Sequence, residues 1–182
     1  MRLARSALAC CGLALLLTGG KVTYSYAQPL GIEKGQANAD VPPGMFEMPF
    51  VGKTNQKSIS AKVTFKKLQT KTRWAPSAFV GFQSADEKTQ FKAFLTQHNP
   101  GDTTLLAGYQ LVVNGIAQTP KMLANKLPLH ESILITANRI ANGGVQIQIA
   151  GSNPVVIGNS TSELMPFIVI SSVVANVTWS VQ

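Results

Sequence analysis

Few side chains in this sequence could do chemistry, and their spacing argues against it. There are eight acidic residues in 182. Cleaving a glycosidic bond takes two carboxylates on either side of it. The only adjacent acids, Asp86 and Glu87, are sequence neighbours, so in a strand they point to opposite faces. Glu131 and Glu163 stand alone. His98 and His130 are the only histidines; apart from Glu131 beside His130, neither has a partner at a metal-ligand spacing. No G-x-S-x-G elbow offers a serine nucleophile. Asp102, in Asn99-Pro100-Gly101-Asp102, is the one loop acid suited to calcium. The expectation is a non-enzyme with no catalytic residue, no metal and no cofactor.

Binding chemistry is better represented. Trp74 follows Arg73 just before the break at Pro76, where an exposed indole could stack on the apolar face of a sugar ring. Gln146 and Gln148 could bond sugar hydroxyls alongside Arg73. Trp179 is in phase with apolar neighbours and reads as core. Lys53, Lys57, Lys62, Lys66, Lys67, Lys71 and Arg73 follow one another with no acid between Glu47 and Asp86. Lys62 and Lys66 share the outward face of a strand and make a basic stripe. Such lysines either guard an exposed edge strand or meet an anionic glycan, lipopolysaccharide, a membrane surface or another acidic envelope component. No aromatic-basic motif for nucleic acid accompanies them.

The elements that must carry these residues are strands. Ile133, Ile135 and Ala137 alternate with Leu134 and Thr136; after Asn142-Gly143-Gly144, Val145, Ile147 and Ile149 alternate with Gln146 and Gln148. Period-two alternation on both sides of a Gly-rich turn predicts a β-hairpin over 132–150. The same period appears over 58–68 and 173–182, with shorter apolar strands at 78–82 and 108–114. Residues 83–97 are ambiguous: Ser84 and Glu87 have capping-box spacing and Phe91, Phe94 and Leu95 helical spacing, whereas a strand puts Phe91, Ala93 and Leu95 on one side. The strand agrees better with its neighbours. Thr119-Pro120 and Leu127-Pro128 bracket a stretch too short for more than a turn of helix. Because a lone hairpin is not stable in water, the apolar faces must cover one another, giving an all-β, two-sheet antiparallel sandwich. Its expected core contains Val63, Phe65, Ile133, Ile135, Ile147, Val177 and Trp179.

The order of a strand with Phe79-Val80-Gly81-Phe82, the hairpin, the run Pro166 to Ile170 and a closing Val173 to Trp179 resembles the jelly rolls of concanavalin A-like lectins and glucanases, laminin-G-type domains included. The resemblance covers most of residues 45 to 182 and implies either sugar binders or glycan hydrolases. The closely spaced carboxylates that the hydrolases carry on one strand are absent here.

At the N-terminus, Arg2 and Arg5 precede an apolar run from Ala7 to Leu17, and Ser25-Tyr26-Ala27 supplies small residues for a cut before Gln28. Residues 1–27 thus read as a secretory signal peptide, the run being shorter than the ~20 residues that span a bilayer. Cleavage would remove the only cysteines, Cys10 and Cys11. It would also remove Arg2, Arg5 and Lys21 from the 16 basic residues, leaving 13 against 8 acidic ones. Residues 28–44, with Pro29, Pro42 and Pro43, read as an extended leader, and 45–182 as the domain. The mature chain has no segment of transmembrane-helix length. The expected protein is a secreted or periplasmic, non-catalytic glycan-binding module, the alternative being a protein-interaction or structural envelope domain that engages an acidic partner.

Overall fold

The computed structural model describes residues 34–69 and 75–182. Thirteen strands follow in chain order: β1 (Lys34–Asp40), β2 (Phe46–Val51), β3 (Ser58–Leu68), β4 (Ser77–Ser84), β5 (Gln90–Gln97), β6 (Thr104–Val113), β7 (Ile116–Ala117), β8 (Lys121–Pro128), β9 (Ile133–Arg139), β10 (Val145–Ile149), β11 (Val155–Ile157), β12 (Leu164–Ser171) and β13 (Val173–Val181). They form a six-stranded sheet in the order β1-β13-β3-β9-β10-β11 and a seven-stranded sheet in the order β2-β12-β4-β5-β6-β7, with β8 also pairing β6. Every pairing is antiparallel. Among the described residues there is no helix, and so none long and apolar enough to cross a membrane.

Alternation decides which side chains fill the space between the sheets. Ile59, Val63 and Phe65 of β3, Ile133 and Ile135 of β9, Ile147 of β10, and Val177 and Trp179 of β13 face Val80 and Phe82 of β4 and Phe91 and Leu95 of β5 in one buried cluster. All seven core residues expected from the sequence lie there. Trp179 is 4% exposed and tilted against Phe50, with ring centroids 5.5 Å apart.

The hairpin register pairs Ile135 with Ile149 and Arg139 with Val145. Its turn is closed by Ile140 N–H donating to Gly144 O (3.0 Å) and Gly143 N–H to Ile140 O (3.0 Å). Gly143 has φ 80°, and a Cβ there would strike the Ser160 carbonyl, so the turn requires glycine twice over.

The ambiguous stretch is a hairpin, not a helix. The Ser84 hydroxyl donates to Asp86 Oδ1 (2.6 Å) and accepts from Thr89 N–H (3.0 Å), so the apparent capping box closes a β-turn between β4 and β5. Two further expectations need correction. The leader drawn over 28–44 contains β1, which pairs β13 from Lys34↔Ser180 to Asp40↔Val174. Its inward residues are Gly35, Ala37 and Ala39, too small to stand out as an apolar pattern. Gly35 lies against the Trp179 indole where any Cβ would overlap the ring. The stretch between Thr119-Pro120 and Leu127-Pro128 is strand β8, whose pairing with β6 slips twice, around Ala107. An irregular, largely exposed edge strand has no need of period two.

Candidate functional site

Trp74, Arg73 and Lys71 lie outside the described residues, as do residues 1–33 with the signal-peptide segment. Gln146 and Gln148 occupy the outer face of the six-stranded sheet, where Gln148 Nε2 donates to Ser152 O (2.8 Å). Lys62 and Lys66 are exposed on that same face, so the hairpin glutamines and the heart of the lysine stripe share one surface. Lys67 is exposed near the end of β3, and Lys53 and Lys57 are exposed in the loop before it. Since β3 lies between β13 and β9 only from Ser58 to Val63, Lys62 guards no edge, whereas Lys66 and Lys67 lie past the β9 pairing, with β13 as their one neighbour among the described strands. Asp102 accepts from Asn99 N–H (2.9 Å) within its own turn. Among the described residues no three His, Cys, Asp or Glu side chains gather to hold a metal.

A second constellation, not anticipated from the sequence, lies on the outer face of the seven-stranded sheet. With Phe82, Phe91 and Ala93 turned into the core, the alternate residues Gln83, Gln90 and Lys92 must point away from it. Register then sets Gln83 beside Gln90, and Lys92 between Gly81 and Gln110. Lys92 is 1% exposed, and its Nζ donates to Gln90 Oε1 (3.1 Å) and stands 5.0 Å over the Phe79 ring. Gln90 Nε2 donates to Glu87 O (3.3 Å) and Gln110 Nε2 to Gln118 O (3.1 Å). Gln83 is 3% exposed, and its Oε1 accepts no hydrogen bond from the described residues.

All thirteen described strands belong to the two sheets, so none of them lies over this outer face. It is half-exposed at Met165, Phe79, Thr96 and Leu106 and closed around the Gln83–Lys92 group. Toward β2 the polar group gives way to an apolar cluster of Met48, Phe167 and Val169, flanked by Phe46, Val51 and Phe79. An ammonium, three carboxamides and adjoining rings give donors, acceptors and apolar surface together. In dry surroundings such hydrogen bonds are stronger than in water. Only the register of β4, β5 and β6 brings these residues together, although the in-phase Gln90 and Lys92 within an otherwise apolar run are a local signal.

Glu47, on β2, has its carboxyl pKa raised from its ordinary value by burial. A raised carboxylate pKa contributes stability below the unfolded value, and that contribution is lost as pH rises through the folded value. Glu47→Gln is therefore expected to raise Tm at pH 7 and leave it unchanged at pH 3, as thermal melts at the two pH values would show. An equal Tm shift at both would contradict this.

No known family matches the chain in sequence, and no curated protein does. Solved structures do match in shape. An alginate lyase from Pseudomonas aeruginosa has a TM-score of 0.52 at 11% identity over 70% of this chain. A galectin of Caenorhabditis elegans has 0.50 at 13% over 82% of this chain and 96% of its own. Scytalido-glutamic peptidase has 0.50 at 12% over 64% of this chain. The alignments span 63% of the lyase and 59% of the peptidase. The chain shares the antiparallel two-sheet sandwich fold of these proteins, and the resemblance seen in its strand order holds as one of fold. Two enzymes and a lectin on one architecture mean that the fold does not choose the function.

Proposed function

We propose that this chain is a secreted or periplasmic, non-catalytic glycan-binding module whose ligand meets the outer face of the seven-stranded sheet. Gln83 carries the proposal. A buried carboxamide oxygen without a donor costs about 1–3 kcal/mol, and a ligand hydroxyl would supply the missing donor. Gln90, Lys92 and Gln110 are the neighbours of Gln83 in the register, and Phe79 offers a half-exposed ring at the margin. A galectin among the chains of like fold agrees with this use of the architecture. The absence of catalysis rests on how the acids are spread: Asp86 and Glu87 in the β4–β5 turn, Glu131 before β9 and Glu163 before β12.

The test is a glycan array followed by calorimetry on Gln83→Leu. The variant should bind the sugar selected by the array at least about tenfold more weakly, the worth of one such hydrogen bond. It should also melt no lower than the parent, because an unsatisfied buried polar atom has been removed. Absence of any glycan ligand, or undiminished binding by Gln83→Leu, would overturn the proposal.

A further inference from the structure

The outer face of the six-stranded sheet is a second surface with a chemistry of its own. Register aligns its outward residues in rows that cross the strands. Lys34, Ser180, Ser60, Thr136 and Gln148 form one row over five strands. Gln36, Thr178, Lys62 and Leu134 form the next, and Asn38, Asn176 and Thr64 a third. On the other side of the first row stand Ser58, Asn138, Gln146 and Val156. Strands ~4.8 Å apart put a hydroxyl, amide or ammonium at nearly every step of a surface about 20 Å wide.

Charge on this face is mostly positive. Among the described residues Lys34, Lys62, Lys66 and Lys67 are exposed along β1 and β3, against Asp40 at the end of β1 and Glu131 next to Ser132, whose hydroxyl lies 2.7 Å from that of Thr64. None of the four lysines forms a salt bridge among the described residues. Lys62 is flanked by β13 and β9, so edge protection does not account for it; the Cα of Lys66 is ~13 Å further along the extended strand, past the last β9 pair at Val63↔Ile133.

We infer that this face binds an anionic polysaccharide laid across the strands, its acid groups drawn to the lysines and its hydroxyls bonded by the Ser, Thr, Asn and Gln rows. Among the described residues the surface has no aromatic side chain, and its exposed large apolar residues are Leu134 and Val156. A membrane-surface binder inserts a cluster of aromatic or aliphatic residues, and a protein interface has an apolar centre; Leu134 on β9 and Val156 on β11 are two strands apart and form no such cluster. This second surface is separate from the Gln83 site, on the opposite side of the sandwich.

The test uses fluorescently labelled polygalacturonate as the anionic probe, dextran as the neutral one and phosphatidylglycerol vesicles as the lipid one, titrated with the protein at rising salt. Polygalacturonate should bind at about 50 mM salt and be released toward ~1 M, where the screening length falls to ~3 Å. Lys62→Glu/Lys66→Glu should weaken it by about tenfold or more, with Lys62→Gln/Lys66→Gln intermediate. The melting temperature of both variants should stay within a few degrees of the parent's, the lysines being exposed. Gln83→Leu should bind polygalacturonate like the parent, which separates failure of this inference from failure of the first site. No binding at the lowest salt, binding indifferent to the lysine changes, equal binding of dextran, or preference for the vesicles would each overturn it.

Discussion

Phe91→Ala is expected to cost about 3–5 kcal/mol of folding stability, the range for removing a fully buried aromatic ring. Phe91 is on β5, a central strand of the seven-stranded sheet, and its ring is buried in the space between the sheets. It also lies under the backbone at Gly158, where φ is +57° and any Cβ would overlap the ring. Cavity creation would therefore loosen both the core and the chain that leaves β11. For a domain of this size the loss corresponds to a Tm roughly 6–20 °C lower. Gly158→Ala should also be destabilising, through the positive φ and the clash together. Because the clash needs the ring, the double variant should lose less than the sum of the two, and urea unfolding of the four proteins measures that coupling. Strictly additive losses, or a Phe91→Ala cost below about 1 kcal/mol, would mean that the ring does not support this crossing.

Long alternating runs are legible from residue order alone. β3 begins and ends where period two predicts, at Ser58 and Leu68, and the 173–182 run is β13 to within a residue. The strands that escape such a reading have identifiable causes: β1 turns only Gly and Ala inward, β8 is an irregular edge, and β7 and β11 are two and three residues long. Position along the chain also conceals where strands sit in a sheet. Lys62 suits an edge guard in sequence, yet β13 and β9 flank it, while Lys66 lies past the end of the β9 pairing. The Gln83–Lys92 group is hidden for a related reason. Gln110 joins it only through the β5–β6 register, and helical spacing across Phe91, Phe94 and Leu95 blurs the strand that carries Gln90 and Lys92.

Lys92→Met is expected to separate binding from folding at the first site. The thioether chain follows the path of the lysine stem while deleting the ammonium that stands over the Phe79 ring. Replacing a buried charge with an apolar side chain of similar volume is often neutral or stabilising. Against that stands the donor lost to Gln90 Oε1, worth about 1–3 kcal/mol if nothing replaces it. These effects oppose one another, so the net change in stability should stay within about 2 kcal/mol. Glycan affinity has no such offset. A hydrogen bond from a charged donor contributes about 1.5–3 kcal/mol, so the variant should bind roughly 10- to 100-fold more weakly. Calorimetry with the array-selected sugar and a denaturant melt of the same preparation give both numbers. A collapse in stability with unchanged affinity would make Lys92 a structural residue, whereas lost affinity on an intact fold places its ammonium against the ligand.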